Sequence, residues 1–568
     1  MTFSREARLR VAALVGAVAM ALTACTTPPA AAPLRLTLLA FNDFHGQLST
    51  PAEGTPVPAA DGAMKASRLS TGGAAWLAGT LAQLRARNPL TAIVAAGDLV
   101  GASPMSSAVF HDEPTIEALN LAGLEFSAVG NHEFDHGLAE LQRLQNGGCA
   151  PDAPTASCHR HAFAGARFRY LAANVTNAST GEPAFPASAL KTFDLGHGRT
   201  LKVGFIGAVI RSVPQLVIPA MVKSLAFSDE ATAINAAVPG LRAQGAEVIV
   251  VLIHEGGVTS SNAFDDDTCP DFNGGILPIV DRLDPAIDAV VSGHTHRTYL
   301  CRRNGRLVTS AGSQGRFVTD IELQLDPVSH RVLGSSATQV AVRSDLASVA
   351  KNPEVETLVN AYTADATPLT ERVVASIAED ITRRASPAGE SALGDLVADA
   401  HLAAMSAPNE AGAQLALMNS SGIRTDLLAA AKHVTFGDIH DIHPFGNSLI
   451  TLTLTGAQLH ALLEQQWIGA HSMLQISAGL TYEWRATGAP GSRIDIGTVR
   501  LNGRPIDPTA RYRIVTNEFL AGGGDGFSVL TEGTDRVRGM LDSEALEKYV
   551  AAHSPLAKPV LGRIRQTP

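Results

Sequence analysis

Five short segments in the first 300 residues of this 568-residue chain carry side chains that ligate hard metal ions. They are Asp43-Phe44-His45, Gly97-Asp98, Gly130-Asn131-His132-Glu133, His254-Glu255 and Gly293-His294-Thr295-His296. Together they offer carboxylates, imidazoles and a carboxamide, a mixed set that suits Zn²⁺, Mn²⁺ and similar divalent ions. Hydrolysis of a phosphate ester at neutral pH needs a nucleophile better than water and a clamp on the phosphoryl oxygens. Two metal ions about 3.5–4 Å apart supply both. The ligands here suffice for two ions, with one acid left to bridge them. Taken singly, several segments have ordinary readings. Gly-Asp is a common turn or helix cap, and His254 alone reads as a strand-end histidine. Gly130-Asn131-His132-Glu133-Phe134-Asp135 and Gly293-His294-Thr295-His296 are more specific, and all five in this order make coincidence a poor explanation.

Each segment follows an apolar run: Leu34–Ala40, Ala92–Ala96, Phe126–Val129, Val248–Ile253 and Ala289–Val291. Short runs rich in Val, Ile and Leu, ended by Gly or a polar cluster, read as buried parallel strands. Open α/β sheets carry their ligands beyond the carboxyl ends of the strands. The five segments are therefore expected on one rim of a sheet. Between residues 34 and 342 such runs alternate with helical ones, for example Ala74–Arg85 and Ile116–Leu121, and Lys202–Gly207 and Arg306–Ser310 add strands. This is the pattern of a layered α/β domain. Residues 351–378 are more polar, with helical period, and read as a connecting helix. Residues 379–563 form a second domain, with strands at Leu415–Met418, Leu449–Leu454 and Tyr512–Thr516 and helices at Leu393–Met405 and Gly456–Gln466. The length alone calls for at least two domains.

The first 24 residues read as a targeting signal: Arg5, Arg8 and Arg10, then the apolar stretch Val11–Leu22, too short to span a bilayer. Leu22-Thr23-Ala24-Cys25 resembles the lipobox of bacterial lipoproteins, in which the cysteine becomes lipidated and N-terminal. Residues 25–33 then form a tether, and the expectation is an exported, periplasmic or cell-surface lipoprotein held to a membrane through Cys25. An ordinary signal peptide with a chance cysteine is the alternative. The formal net charge is −10. Loss of residues 1–24 removes three basic residues and one acidic residue, deepening it to −12. Such a balance argues against a grip on long nucleic acid, which needs a basic surface. No feature points to a protein partner. The four remaining cysteines suggest two disulfides in an exported protein. Of three pairings, Cys149–Cys158 and Cys269–Cys301 are favoured. The first closes a polar loop, and the second ties the approach to the strand before His294 to the segment after His296. No Cys-x-x-Cys spacing supports a zinc site.

The second domain carries three further signals. Asn419-Ser420-Ser421-Gly422-Ile423-Arg424 follows a strand and ends in a cation. Pro444-Phe445-Gly446-Asn447 sets an aromatic beside a flexible turn. Asn517-Glu518-Phe519-Leu520-Ala521-Gly522-Gly523-Gly524-Asp525-Gly526-Phe527 brings a second aromatic and an acid. Singly these are a surface arginine, a core phenylalanine and a glycine-rich turn. Together they make a nucleotide pocket. Phe445 and Phe519 can sandwich a base, at about 1–3 kcal/mol per stacked base. Asn447 can read a base edge, Asp525 can accept from ribose hydroxyls, and Arg424 can grip phosphate.

The five N-terminal segments, with Asn42, Gly46 and Asp135, resemble the calcineurin-like metallophosphoesterases. With the second-domain motifs, nearly the whole chain resembles the secreted 5′-nucleotidase / UDP-sugar hydrolase branch. The resemblance implies an N-terminal layered α/β/β/α domain, a connecting helix and an α/β C-terminal substrate-binding domain. It implies that Asp43, His45 and His296 hold one divalent ion, that Asn131, His254 and His294 hold the other, and that Asp98 bridges them. His132 then stands on the leaving-group side, oriented by Asp135, while Glu133 and Glu255 match no ligand position. The chain departs from the family in having Ser421-Gly422 before Ile423-Arg424. A further phosphate-binding arginine falls to Arg383 or Arg384, ahead of Leu393-Gly394. Trp76 stands where the family often has arginine and reads as structural. The implied activity is hydrolysis of nucleoside 5′-monophosphates to nucleoside and phosphate, with UDP-sugars a further substrate class. A 2′,3′-cyclic-nucleotide phosphodiesterase/3′-nucleotidase is the rival within the family, against which Pro444-Phe445-Gly446-Asn447 argues. A nucleotide-binding surface lipoprotein without turnover is the rival of another class, against which His132 and Asp98 argue.

Overall fold

The computed structural model describes residues 32–51, 54–58, 64–151, 153, 155–261, 263–346, 348–468 and 473–568. The signal segment 1–24, Cys25 and most of the tether lie outside the described residues. Two six-stranded sheets build the N-terminal domain. The first runs in the order Val332–Ala341, Phe317–Leu325, Leu34–Phe41, Thr91–Ala95, Phe126–Ala128, Arg169–Leu171. The second runs Thr298–Arg303, Arg306–Ala311, Ala289–Ser292, Val248–His254, Arg199–Val209, Ser188–Gly196. In each sheet the four strands nearest the ligands are mutually parallel. The sheets pack face to face over Leu36, Leu38, Val94, Val203, Val250 and Val291. The helices Ala74–Arg85 and Glu113–Ala122 cover the outer face of the first sheet, and Glu230–Ala243 covers that of the second. Val248–His254 shows why the strands form: all seven residues are buried, and the apolar, Val/Ile-rich run Val248–Ile253 fits a strand with packing on both faces.

The layered α/β/β/α architecture is the expected one, but the single rim is not. Asp43, Asp98 and Asn131 follow strands of the first sheet, whereas His254 and His294 end strands of the second. The two rims meet because the sheets share one inner core. Cross-sheet bonds seal the meeting: His254 Nδ1 lies 2.8 Å from the Ala96 carbonyl, and the His294 amide donates to the Asp43 carboxylate at 3.0 Å.

The connecting helix is Pro353–Thr370, shorter than expected. Val355 and Val359 join the N-terminal core and Tyr362 packs on Phe110, so this helix belongs to the first domain's surface. Val373–Ser376 is instead a strand paired with His433–Thr435 of the second domain. That domain is built on a five-stranded sheet in the order Leu474–Ile476, Leu415–Asn419, Arg511–Asn517, Ser448–Thr455, Thr534–Leu541. Cys149 pairs with Cys158 and Cys269 with Cys301, the Cα atoms 5.4 Å apart in each, as the sequence favours. Among the described residues, no helix is long and apolar enough to cross a membrane.

The second domain extends past residue 563, because Ile564–Thr567 pairs in parallel with Leu480–Arg485. A polar clamp holds this last strand. Glu390 accepts the amides of Gly562, Arg563 and Ile564, and Arg563 makes two 2.8 Å bonds to Asp399. Asp395 is fully buried 3.3 Å from the Arg563 guanidinium. Burial pushes its carboxyl up to about 8, against the pull of Arg563 and with the Glu390 charge adding to the rise. The folded protein therefore keeps a proton that the unfolded chain loses above about pH 4. The stability this supplies is full below that pH and is lost as pH rises through about 8. Asp395→Asn should remove the dependence. From pH 5 to 8 its stability should gain on the wild type by up to about 1.4 kcal/mol per pH unit. Denaturant unfolding at several pH values measures this, and parallel pH profiles would contradict it.

Candidate active site

Five of the seven expected ligands have left-handed backbone: Asp43 at φ +50°, His45 at +49°, Asp98 at +49°, His294 at +73° and His296 at +55°. Non-glycine residues reach this region at a cost of order 1–3 kcal/mol each and stay there only where their surroundings over-determine them. The turns after the strands bend back on themselves, so that ligands from both sheets point into one space. Glycines permit the closest approach. A Cβ on Gly130 would stand 2.1 Å from Asp98 Oδ1, and one on Gly97 2.7 Å from the Gly130 nitrogen.

Two histidines have their tautomers fixed by carbonyls, which can only accept. His45 Nδ1 lies 2.9 Å from Gly101 O and His254 Nδ1 lies 2.8 Å from Ala96 O. Each ring therefore carries its proton at Nδ1 when neutral and turns the Nε2 lone pair inward. His45 Nε2 is 3.0 Å from His296 Nε2, which is 3.2 Å from Asp43 Oδ1. His254 Nε2 is 3.0 Å from Asp98 Oδ2 and 3.1 Å from Asn131 Oδ1. These atoms fall into two groups, Asp43 with His45 and His296, and Asp98 with His254 and His294, each within 4.8 Å internally. Asp98 Oδ2 faces both, since His45 Nε2 is 3.8 Å away. Donor atoms at such separations need a proton or a cation among them, and the set fits two cations that would share Asp98.

The electrostatics agree. Burial alone would raise the Asp98 carboxyl, but the imidazoles of His254 and His132 outweigh it and hold it well below the usual carboxylate range. Burial lowers His294 to about 4, with the neighbouring His254 adding to the fall. His254 goes the other way, to about 10: burial opposes its charge, and the Asp98 and Asp43 carboxylates override burial. A field that selects positive charge at His254 Nε2 selects metal cations at the same point.

Supporting residues lock the ligands. Glu133 accepts from the amides of Asp98, Leu99 and Gly130 at 2.6–2.9 Å, tying two ligand turns together. Asn42 donates to Asp43 Oδ2 at 2.6 Å and to Gly312 O, while its own oxygen takes the Ala311 amide. The sequence sets Glu133 apart from the ligands as a structural residue, but its partners and the role of Asn42 depend on contacts between separate turns. Glu255 bonds to the Gly256 amide and contacts no ligand group. His132 Nδ1 lies 2.8 Å from Asp135 Oδ2, and the ring lines the cavity beside the site. Trp76 packs under Lys351, away from the site.

A cavity of about 290 Å³ opens beside His132 and Asp98. It gathers Arg424, Phe445, Asn447, Phe519 and Asp525 from the second domain, so all the expected substrate residues meet there. Asp525 is held by Asn419 at 3.0 Å and by Ser421, and Asn419 by Asn517. Asn447 is buried, and its Oδ1 has no partner among the described residues. Phe445 stacks on His132, with centroids 5.7 Å apart and planes 19° apart, and Arg424 lies 5.8 Å from the same ring. Phe519 lines the same cavity, and among the described residues the two phenylalanine rings make no contact with each other. Arg383 reaches the Ile423 carbonyl and its charge acts on Arg424, whereas exposed Arg384 makes no described contact there. Of the two arginines, Arg383 is the one beside the loop that carries Arg424. Leu216, Val217 and Ile218 also line the cavity. The sequence gives no sign of it, because Leu-Val-Ile reads as core.

Comparison with known proteins agrees with this arrangement. The calcineurin-like phosphoesterase family matches residues 36–298, and the 5′-nucleotidase C-terminal domain matches residues 370–532. The cell wall protein Lmo0130 of Listeria monocytogenes is 30% identical over 97% of this chain and 71% of its own length. Endonuclease YhcR of Bacillus subtilis is 31% identical over 95% of this chain, which spans only 41% of that protein. The crystal structure of a 5′-nucleotidase precursor from Thermus thermophilus superposes with a TM-score of 0.74 at 26% identity, covering 94% of this chain and 99% of the other. The chain belongs to the 5′-nucleotidase family, in which a calcineurin-like metallophosphoesterase domain is joined to a 5′-nucleotidase C-terminal domain, and it is a phosphoester hydrolase of the nucleotide-hydrolysing, metal-dependent type.

Proposed function

We propose that this protein hydrolyses nucleoside 5′-monophosphates to nucleoside and phosphate at a centre of two divalent ions, zinc, manganese or similar. Asp43, His45 and His296 would hold one ion, Asn131, His254 and His294 the other, with Asp98 between them. The observation that carries the reading is the continuity of the site: two groups of lone-pair donors share Asp98, and the wall beside them runs into a cavity with aromatic and hydrogen-bonding side chains. Ions in such a set supply an acidified water and neutralise charge on the phosphoryl oxygens. Arg424 faces the same space without a carboxylate partner among the described residues, free to grip a phosphoryl oxygen. His132, steadied by Asp135, protonates the departing nucleoside oxygen from Nε2. Asn447 Oδ1 accepts a base N–H, and Asp525 accepts from the ribose hydroxyls. UDP-sugars are a further substrate of the same site. Export with lipidation at Cys25 completes the reading and suits the disulfides and the cell-wall relative.

Three outcomes test it. In a panel of nucleoside 5′-monophosphates, 2′,3′-cyclic nucleotides and UDP-sugars, the 5′-monophosphates should give the highest kcat/KM. Preference for the cyclic diesters would replace the reading with the cyclic phosphodiesterase. His132→Gln should slow a nucleoside monophosphate about 10²–10⁴-fold and p-nitrophenyl phosphate, whose leaving group needs no proton, much less. Equal losses on both would remove the proton-donor role. Phe445→Ala and Phe519→Ala should each lower kcat/KM for a nucleotide by about ten- to a hundred-fold, while ribose 5-phosphate, which lacks only the base, loses less. Equal losses on the two substrates, in variants that melt like the wild type, would refute the base-stacking assignment.

A further inference from the structure

The segment 210–222 leaves the second sheet of the N-terminal domain after the strand Arg199–Val209. Two short helical turns shape it, Val213–Leu216 and Pro219–Val222, each with a proline at its start. Val213, Val217 and Val222 are buried in the core beneath. Between these anchors Leu216 and Ile218 are only half-buried, and both stand on the wall of the 290 Å³ cavity that also holds Phe519 and Asp525. An anchored apolar segment that leaves two large side chains at the mouth of a polar site needs an explanation beyond packing.

The glycine-rich turn of the second domain supplies the other half of the contact. A Cβ on Gly522 would stand 3.0 Å from Cδ of Pro219, and one on Gly524 would stand 2.5 Å from the Phe519 ring. Gly522 thus lets the N-terminal domain close on the turn, and Gly524 lets Phe519 lie against the backbone. The turn Val213–Leu216 packs on Gly524–Gly526, the stretch that carries Asp525. The two domains therefore touch at the point where the nucleobase wall and the ribose acceptor are built.

Leu216, Val217 and Ile218 offer no side-chain hydrogen bond. A sugar or phosphate pressed against them would lose its water without replacement, which is unfavourable. A flat, weakly polar ring face would not. We propose that Leu216 and Ile218 form a base-covering wall contributed by the phosphoesterase domain, so that both domains grip the nucleobase and base affinity depends on their closure. This rests on the nucleotide reading of the cavity and adds specificity residues from the domain that otherwise supplies the metal centre and His132.

The test compares a nucleoside 5′-monophosphate with ribose 5-phosphate in three variants. Leu216→Ala/Ile218→Ala removes the wall itself. Gly522→Val pushes Pro219 away from the second domain's side and changes no cavity-lining residue. Phe519→Ala is the reference for loss of base contact. The expected result is a rise of about tenfold in KM for the nucleotide in both the double variant and Gly522→Val. The preference for nucleotide over ribose 5-phosphate should fall toward that of Phe519→Ala, and Leu216→Met/Ile218→Val should restore most of it. If the double variant does not fold, Gly522→Val and the single alanine variants carry the same comparison. Folded variants that keep the wild-type preference, or lose both substrates equally, overturn the proposal. A wild type with no preference for the nucleotide overturns the nucleotide reading as well, and is told apart because it appears before any substitution.

Discussion

Lone pairs crowded together without a donor between them are the constraint on which the rest of this molecule turns. His45 and His254 are each committed through Nδ1 to a carbonyl, so the neutral rings turn their Nε2 lone pairs inward. Asp98 and Asn131 offer oxygen 3.0 and 3.1 Å from His254 Nε2, and Asp43 offers one 3.2 Å from His296 Nε2. An arrangement of this kind needs positive charge among its donors, as a proton on His254 or as bound cations. The left-handed backbone at five ligands and the close approaches at Gly97 and Gly130 are further costs borne where the ligand turns converge. The layered fold exists to hold these groups together, two sheets meeting so that two rims face one space.

The second domain adds a second wall to the cavity beside the phosphoesterase centre. Its parallel strands Leu415–Asn419 and Arg511–Asn517 end in asparagines 3.0 Å apart that position Asp525. The next strand, Ser448–Thr455, begins just after Asn447. Phe445 reaches across to His132, so an aromatic assigned to the base also touches a side chain assigned to the chemistry. That contact, together with Pro219 on Gly522, makes the domain junction part of the active site. The connecting helix Pro353–Thr370 is anchored in the first domain by Val355 and Val359. A change in the relative position of the domains would therefore pivot after Thr370, near Glu371 and Arg372, and not along the whole of residues 351–378.

Much of this was legible in the sequence because the signals are local. A ligand at a strand end announces itself within six residues, and both disulfide pairings follow from the loops they close. What the sequence hid depends on which strands are neighbours. Val248–His254 and Leu34–Phe41 are alike in composition, and nothing within either run says that they lie in different sheets, so one rim was expected where there are two. The run Val373–Ser376 was absorbed into a helix although its adjacent valines favour a strand. Ile564–Thr567 was missed because half of its residues are exposed on an edge. Glu133, Asn42 and Leu216–Ile218 act between segments remote in sequence, and no periodicity reports that.

Binding of metal to chelator-stripped protein tests the central claim most directly. Calorimetric titration with Zn²⁺ or Mn²⁺ should find two ions per chain in the wild type. His45→Ala should lose the site built on Asp43 and His296, and His254→Ala the site built on Asn131 and His294, each variant keeping the other ion. A folded wild type that takes up one ion or none, or two variants that still bind two, would contradict the account.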